Sequence, residues 1–104
     1  MNETEFQQQV ETTLAGIEAA LDELGIDFER KADTVLELSF DDDSRIIVNG
    51  HAAAREIWVA ARSGGQHFRH QDGAWINTRD GRELYQALSG VVSQQCGREV
   101  TLSG

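Results

Sequence analysis

The hydrophobic residues of this 104-residue chain change their spacing near residue 25, and this change constrains the fold more than any other feature. After it, apolar residues alternate with polar ones, as on a half-buried strand. Before it, they recur every three or four residues, which is the period of an amphipathic helix. The residues with the helical period are Phe6, Val10, Leu14, Ile17, Leu21 and Leu24.

One helix is predicted near residues 3–24 and another in the last quarter of the chain. Asn2 and Glu5 have the spacing of a capping box before the first helix. The second helix is expected to begin at Asp80, with Glu83 in the capping-box position. Glycine is expected to end both helices, at Gly25 and Gly97, and the apolar face of the second comprises Leu84, Leu88, Val91 and Val92.

Between the helices, short apolar segments and turn residues have the spacing of consecutive antiparallel strands. Five or six strands are expected, and Asn49-Gly50 is interpreted as a break between two of them. Two helices can cover one side of such a sheet and leave the other solvated or free to bind. The predicted fold is α+β, a single domain over residues 1–104: a two-layer α-β sandwich with the N- and C-terminal helices packed on one face of an antiparallel sheet. The apolar segments are 26–29, 36–40, 46–48, 57–61, one around Phe68, and 75–76.

Acidic residues are concentrated at the N-terminus. The chain has 18 Asp and Glu against 9 Lys and Arg, a net charge of −9. Residues 1–29 hold eight acids and no base, so they carry −8, whereas the rest hold ten acids and nine bases, or −1. This charge disfavours binding to nucleic acid. It favours cations or a basic protein surface, although a solvated acidic helix explains the composition equally well.

The remaining composition excludes several classes of protein. Cys96 is the only cysteine, which excludes an internal disulfide framework and fits a reducing compartment. No apolar run approaches the ~20 residues of a membrane span, and no signal-peptide or transit-peptide pattern is recognised. No GxSxG, GxxxxGK[ST] or GxGxxG motif is present, so we expect a cytoplasmic protein that is not an enzyme and binds no membrane.

Neither the histidines nor the Asp41-Asp42-Asp43 segment predicts a dedicated metal site. His67 and His70 are three residues apart in a predicted strand, so they point to opposite faces and cannot share a metal. The three aspartates lack the spacing of an EF-hand loop and are expected to form a polar hairpin turn.

A row of carboxylates on the first helix is the strongest candidate site. Glu11, Glu18 and Asp22 fall within ~40° of one another around the helix, and Asp27 and Glu29 share one face of the next strand. Crowded carboxylates repel, and a bound cation relieves the repulsion. Oxygen ligands suit hard cations such as iron, manganese, calcium or magnesium, and an open row should bind them weakly. The residues alone do not name the metal.

Trp58 is the second candidate. On a strand, Ile57, Val59 and Ala61 share one face and Trp58 the other. If the first set faces the helices, Trp58 lies on the outer face of the sheet. There it either anchors a protein partner or is covered by neighbouring side chains, and the residues leave both readings open.

A set of residues spread over the chain resembles the frataxin family. The leading segment Asn2-Glu3-Thr4-Glu5-Phe6 is similar to that of the bacterial branch, the CyaY proteins, and the resemblance extends from Met1 to about Gly97. It implies an α-β sandwich and a bacterial cytoplasmic protein. The residues that carry it are Ile46-Ile47-Val48-Asn49, Ile57-Trp58, Gly64-Gly65, Phe68, Asp72-Gly73, Trp75 and Asp80-Gly81.

The resemblance implies an iron-binding protein of iron–sulfur cluster assembly. Members bind Fe2+ and Fe3+ weakly on an acidic ridge and contact cysteine desulfurase, as iron donor or as iron-dependent regulator. The expected partners are therefore the desulfurase and the iron–sulfur scaffold protein. On this chain the ridge corresponds to Glu11, Glu18, Asp22, Glu23, Asp27 and Glu29, and the partner contacts to Asn49 and Trp58.

Two alternatives stay open: a ferroxidase that stores iron, and an acidic adaptor that acts without metal. A monomer is expected. The sequence leaves open whether iron induces oligomers, how many iron ions bind, and whether the protein acts as a donor or as an inhibitor. His51 and His67 replace polar or basic residues that mitochondrial members place on the partner-facing surface, so contacts there are also open.

Overall fold

A computed structural model describes residues 1–103, in which two helices lie on one face of a six-stranded antiparallel sheet. The predicted α+β sandwich is confirmed. In the described part of the chain, neither helix is both long and apolar enough to cross a membrane. The elements are α1 (Glu3–Leu24), β1 (Asp27–Ala32), β2 (Val35–Ser39), β3 (Arg45–His51), β4 (Glu56–Ala61), β5 (Gly64–Gln71), β6 (Ala74–Asn77) and α2 (Leu84–Cys96).

Helix α1 has the ends that its sequence predicts. The Glu5 amide donates to Asn2 Oδ1 at 2.8 Å and the Asn2 amide donates to Glu5 Oε1 at 3.2 Å, which completes the capping box. Gly25 follows in the left-handed conformation, with φ of 71°, and the Ile26 amide donates back to the Leu21 carbonyl. Local hydrogen bonds therefore determine where α1 begins and where it ends.

The six strands form a meander in which each strand pairs with its neighbour in sequence, in the order β1-β2-β3-β4-β5-β6. The Asp72-Gly73 turn between β5 and β6 has positive φ at both residues, 49° and 83°, as a tight two-residue hairpin requires. The prediction that Asn49-Gly50 breaks a strand is wrong, because both residues lie within β3. Gly50 continues the strand because it lies beneath Val10 of α1, where a side chain has no room.

Helix α2 begins four residues later than predicted. Gly81 has a φ of 75°, which interrupts any helix that begins at Asp80. The Asp80 carboxylate instead accepts the Arg82 amide within the preceding turn, at 2.9 Å. Glu83 is the N-cap residue, and its carboxylate accepts the Tyr85 amide at 3.0 Å. Glu83 therefore stands at the start of the helix rather than three residues inside it.

The hydrophobic core lies between the helices and the inner face of the sheet. The inner face is set by the register, which aligns Leu36 with Val48 and Ile57 with Phe68. The Trp75 indole donates across the two layers to Thr13 Oγ1 of α1 at 2.9 Å. The core residues include Phe6, Val10, Leu14, Ile17 and Leu21 of α1, Leu36, Leu38, Ile46, Val48, Ile57, Val59, Phe68 and Trp75 of the sheet, and Leu84, Leu88, Val91 and Val92 of α2.

The C-terminal tail, residues 98–103, packs along α2 and completes the core. Val100 and Leu102 are buried. The Val100 amide donates to Ser93 Oγ at 2.9 Å, and the Leu102 amide donates to Ser89 Oγ at 2.8 Å. Two serines of α2 thus satisfy two backbone amides of a segment that has no regular secondary structure.

Candidate functional site

The acidic ridge runs along one flank of α1 and onto β1, which is an edge strand of the sheet. Phe28 pairs with the inward-facing Leu38, so Asp27 and Glu29, on either side of Phe28, point to the outer face. The ridge therefore turns around the edge of the sheet instead of forming one compact cluster. Its members are Glu11, Glu18, Asp22 and Glu23 on α1, and Asp27 and Glu29 on β1.

Two members of the ridge are already paired with basic residues of β1. Both carboxylate oxygens of Glu18 accept hydrogen bonds from Arg30, at 3.0 Å from Nε and 2.8 Å from Nη2. Glu29 is more exposed and lies 3.3 Å from Lys31 Nζ. The Arg30 guanidinium also donates to the Asp33 carbonyl, which fixes it in place. A cation that uses Glu18 must therefore compete with Arg30.

Four members of the ridge have neither an ion pair nor a side-chain hydrogen bond with any of residues 1–103: Glu11, Asp22, Glu23 and Asp27. Glu11 is half-buried, and the other three are exposed. Over the same residues, no group of three or more His, Cys, Asp or Glu side chains is close enough to hold a metal ion. A cation on this surface would be bound by one or two carboxylates, with water as the remaining ligands.

Asn49 and Trp58 lie side by side on the outer face of the sheet. They are direct partners in the register of β3 and β4, and Trp58 is in turn the partner of His67 on β5. Ile57 and Val59, on either side of Trp58, are buried against the helices. The predicted outward position of Trp58 is confirmed. His70 points to the inner side, where it contacts Trp75, so His67 and His70 lie on opposite faces as predicted.

Trp58 is the central ring of a three-ring stack. The centroid of the His51 ring lies 3.9 Å from that of Trp58, and the centroid of the His67 ring lies 4.4 Å from it on the next strand. Both imidazoles are inclined by only 10° to the indole plane. The indole is half-buried as a result, because the two histidine rings cover its faces.

Glu56 is a nearly buried carboxylate beside the stack. Its Oε1 atom accepts the Trp58 indole Nε1–H at 2.9 Å, and its Oε2 atom accepts Arg69 Nη2 at 2.8 Å. The indole hydrogen bond is the largest of the effects that hold the pKa of Glu56 below its ordinary value of 4.5, and Arg69 adds to it, while partial burial opposes it. Glu56 is therefore ionised above that value.

The Asp41-Asp42-Asp43 segment forms the expected polar hairpin turn. Asp42 Oδ1 accepts both the amide and the hydroxyl of Ser44, and Asp43 has a φ of 68°. The two Ser44 hydrogen bonds, followed by the bond from Arg62, lower the pKa of Asp42 to about 2. These contacts occupy the Asp42 carboxylate within the turn.

The sequence analysis did not identify Arg30 beside the acidic ridge, or Glu56 and Arg69 beside Trp58. The alternation of side chains on β4 contained one usable signal, because Glu56 and Trp58 are two residues apart and must share a face. The pairing of Glu18 with Arg30 had no such signal. It joins residues 12 positions apart on different elements, and depends on how α1 lies against β1.

Comparison with known proteins gives one consistent family. The sequence matches the family model of the Frataxin-like domain over residues 1–98. It is 48% identical to the iron-sulfur cluster assembly protein CyaY of Dechloromonas aromatica, with 98% of this chain and 99% of that protein aligned. It is 51% identical to the iron-sulfur cluster assembly protein CyaY of Herminiimonas arsenicoxydans, with 98% and 96% aligned.

A solved structure has the same fold. The frataxin of Psychromonas ingrahamii superimposes with a TM-score of 0.91 and 27% sequence identity, and the alignment covers all of both chains. The two proteins therefore share one fold over their whole aligned length.

Proposed function

The chain belongs to the frataxin-like family, and from this premise we propose that it serves iron–sulfur cluster assembly as a non-enzymatic iron-binding protein. Its acidic ridge carries Fe2+ or Fe3+ as weakly held cargo. The protein donates this iron, or regulates cysteine desulfurase according to iron supply, in the bacterial cytoplasm. The observation that carries the proposal is a group of four ridge carboxylates that form no ion pair with any basic residue among residues 1–103: Glu11, Asp22, Glu23 and Asp27.

The chemistry of the ridge suits iron that must be released again. Carboxylate oxygens are hard ligands, and hard cations with several bound waters bind to them without a closed cage. A site of one or two carboxylates exchanges its metal readily, whereas a site of four fixed protein ligands holds it. Weak and reversible binding is what a donor or a sensor of iron requires.

The same charge favours docking on a basic surface of the desulfurase. Residues 1–29 carry eight acids and no base, so α1 and the start of β1 present a field of one sign to a partner. Asn49 and Trp58, on the outer face, supply the second contact region, for the desulfurase or the scaffold protein. Asp27 and Glu29 share the outer face of the sheet with Asn49, two strands away, so one partner assembly can touch both regions.

The test is anaerobic cluster formation on a scaffold protein by purified desulfurase, with and without this protein, over a range of Fe2+ concentrations. We expect the rate to change when the protein is added, and the change to depend on iron. A rate that is unaffected at every iron concentration contradicts the proposal. Oxygen consumption in proportion to iron, with iron-dependent assemblies, would instead identify a ferroxidase.

The matched variants assign the effect to the ridge. Asp22→Lys with Asp27→Lys removes one open carboxylate from α1 and one from β1. It should weaken Fe2+ and desulfurase binding at least tenfold, because each carboxylate contributes ~1 kcal/mol to a cation at ~4 Å even in water. Glu3→Lys with Glu99→Lys changes the net charge equally, at the start of α1 and in the tail. Equal losses in both double variants would show that total charge, and not the ridge, determines binding.

A further inference from the structure

Trp58 does not project freely from the sheet, because three side chains hold it. His51 and His67 cover its two faces at centroid distances of 3.9 and 4.4 Å, and Glu56 Oε1 accepts its indole N–H at 2.9 Å. A turn of the indole about its side-chain torsions breaks all three contacts. Its orientation therefore depends on two imidazoles, and imidazole is the side chain that titrates near neutral pH.

The two histidines are not equivalent. His51 Nδ1 accepts the Ala54 amide at 3.3 Å, so this lone pair is used by the loop that joins β3 to β4. His67 Nδ1 instead faces a carboxylate, at 3.6 Å from Glu56 Oε1, which is slightly longer than a hydrogen bond. A proton on His67 Nδ1 would convert this contact into a short, charge-assisted hydrogen bond.

A proton on His67 would hold its ring against Trp58 by anchoring that ring on Glu56. Glu56 Oε1 faces His67 and also accepts the Trp58 indole, so one carboxylate would then hold both rings of the stack. We propose that His67 is a proton-sensing residue whose protonation tightens the hold on Trp58. A protonated imidazole also stacks on the indole as a cation, which strengthens the ring contact itself.

The charged groups around His67 are consistent with this role. On β4, Glu56 is ionised through the whole imidazole range, since its pKa lies below 4.5. On β5, Arg69 is bonded to the other oxygen of Glu56, at 2.8 Å, which leaves Oε1 to the indole and His67. Arg79 and Asp80, from the turn after β6, line a recess of about 200 Å³ beside His67 and are of opposite charge. Across the indole lies His51.

The inference goes beyond the proposed function, because it concerns the free protein and requires neither iron nor a partner. With His67 neutral, the indole is held by stacking and one hydrogen bond. With His67 protonated, an imidazolium anchored on Glu56 holds it in addition, and the outer face gains one positive charge. A partner that needs to move the indole would then bind less well as the pH falls.

The experiment follows the indole N–H resonance of Trp58 in the 15N-labelled full chain between roughly pH 8 and pH 3.5. We expect two steps, one in the imidazole range of roughly pH 5 to 8 and one below 4.5 as Glu56 is protonated. The order parameter of the indole N–H should be higher below the first step than above it. A Trp58 resonance that does not move between pH 8 and 5, or an order parameter that stays constant, overturns the proposal.

Four variants separate the groups, with the Trp75 indole on the other face as a reporter of intact folding. In His67→Gln the rise in order parameter should disappear, and Glu56→Gln should reduce this rise and remove the second step. His51→Gln and the control His70→Gln should both leave the rise in place. A rise that survives His67→Gln, or is undiminished in Glu56→Gln, contradicts the assignment. His67 is exposed, so its replacement leaves the core unchanged.

Discussion

At the level of single residues, Gly50 shows how closely the helix layer approaches the sheet. A Cβ atom at this position would lie 2.8 Å from Val10 Cγ1 and 3.1 Å from Cγ2. Val10 is β-branched and lies on a helix, where its side chain has one strongly preferred rotamer, so it cannot turn away. The absence of a side chain at residue 50 is therefore part of the packing between α1 and β3.

Gly50→Ala is expected to destabilise the protein by about 1–3 kcal/mol, the usual effect of overpacking a core, when measured by urea unfolding. Gly65→Ala is the matched control on β5, because the nearest atom to its new Cβ is 3.9 Å away. Val10→Ala combined with Gly50→Ala should recover part of the loss relative to the sum of the single changes. Equal unfolding free energies for Gly50→Ala and Gly65→Ala would contradict this account.

At the residue scale, the sequence predicted the direction of the Trp58 side chain but not its contacts. The outward direction of Trp58 followed from alternation along β4, because side chains on a strand have a period of two. Its partners did not follow, because His51 and His67 belong to the strands on either side. Their contact with Trp58 depends on strand register, which turns and packing decide together.

At the level of elements, the contact between α1 and β1 controls how much of the ridge is available. The Glu18–Arg30 pair joins the two elements through two hydrogen bonds, and both side chains are about one quarter exposed. Surface ion pairs contribute about 0–1 kcal/mol to stability, and a partly buried pair with two hydrogen bonds is expected at the upper end of that range. The pair therefore stabilises the fold modestly and removes one carboxylate from the ridge.

Arg30→Gln is expected to strengthen Fe2+ binding by up to about fivefold. In the unchanged protein, a cation that binds Glu18 must displace Arg30, which costs at most ~1 kcal/mol. Isothermal titration under anaerobic conditions measures the change. Arg82→Gln removes the same charge beside β6, at the opposite edge of the sheet, where Arg82 faces Asp80, and should leave the affinity nearly unchanged. Weaker or unaltered binding in Arg30→Gln would mean that Glu18 takes no part in holding the cation.

The ends of the elements were predicted where they depend on neighbouring residues in the sequence, and were misjudged where they depend on contacts with other elements or on backbone conformation. The start of α1 was predictable because its capping box is local in sequence. The start of α2 was misjudged because Asp80 and Glu83 are both suitable capping residues, and the positive φ of Gly81 decides between them. Asn49-Gly50 resembled a turn, but packing under Val10 keeps both residues in β3.

At the level of the whole molecule, charge is distributed unequally. The first 29 residues carry −8 of the net −9, and they form α1 and the start of the edge strand β1. The remaining strands and α2 are close to neutral. This asymmetry gives the molecule one strongly negative side, which orients it toward a positively charged partner before contact.

For the proposed docking on cysteine desulfurase, the association rate is therefore expected to fall steeply as ionic strength rises from ~0.01 to ~0.15 M, because the Debye length shortens from ~30 to ~8 Å. Stopped-flow measurements over this range test it. The dissociation rate should change much less, because steering acts on the encounter. The Asp22→Lys and Asp27→Lys double variant should show a weaker dependence of the association rate on salt. An association rate that does not change with salt in the unchanged protein would exclude steering by the ridge.

The packing of the tail has a consequence for how firmly the helix layer is held. Val100 and Leu102 are buried, and their amides donate to Ser93 and Ser89 of α2. We expect a chain truncated after Gly97 to hold α2 loosely on a formed meander, and to be cut by protease faster than the 104-residue chain. Limited proteolysis of the two chains tests this; equal resistance would show that α2 is held without the tail.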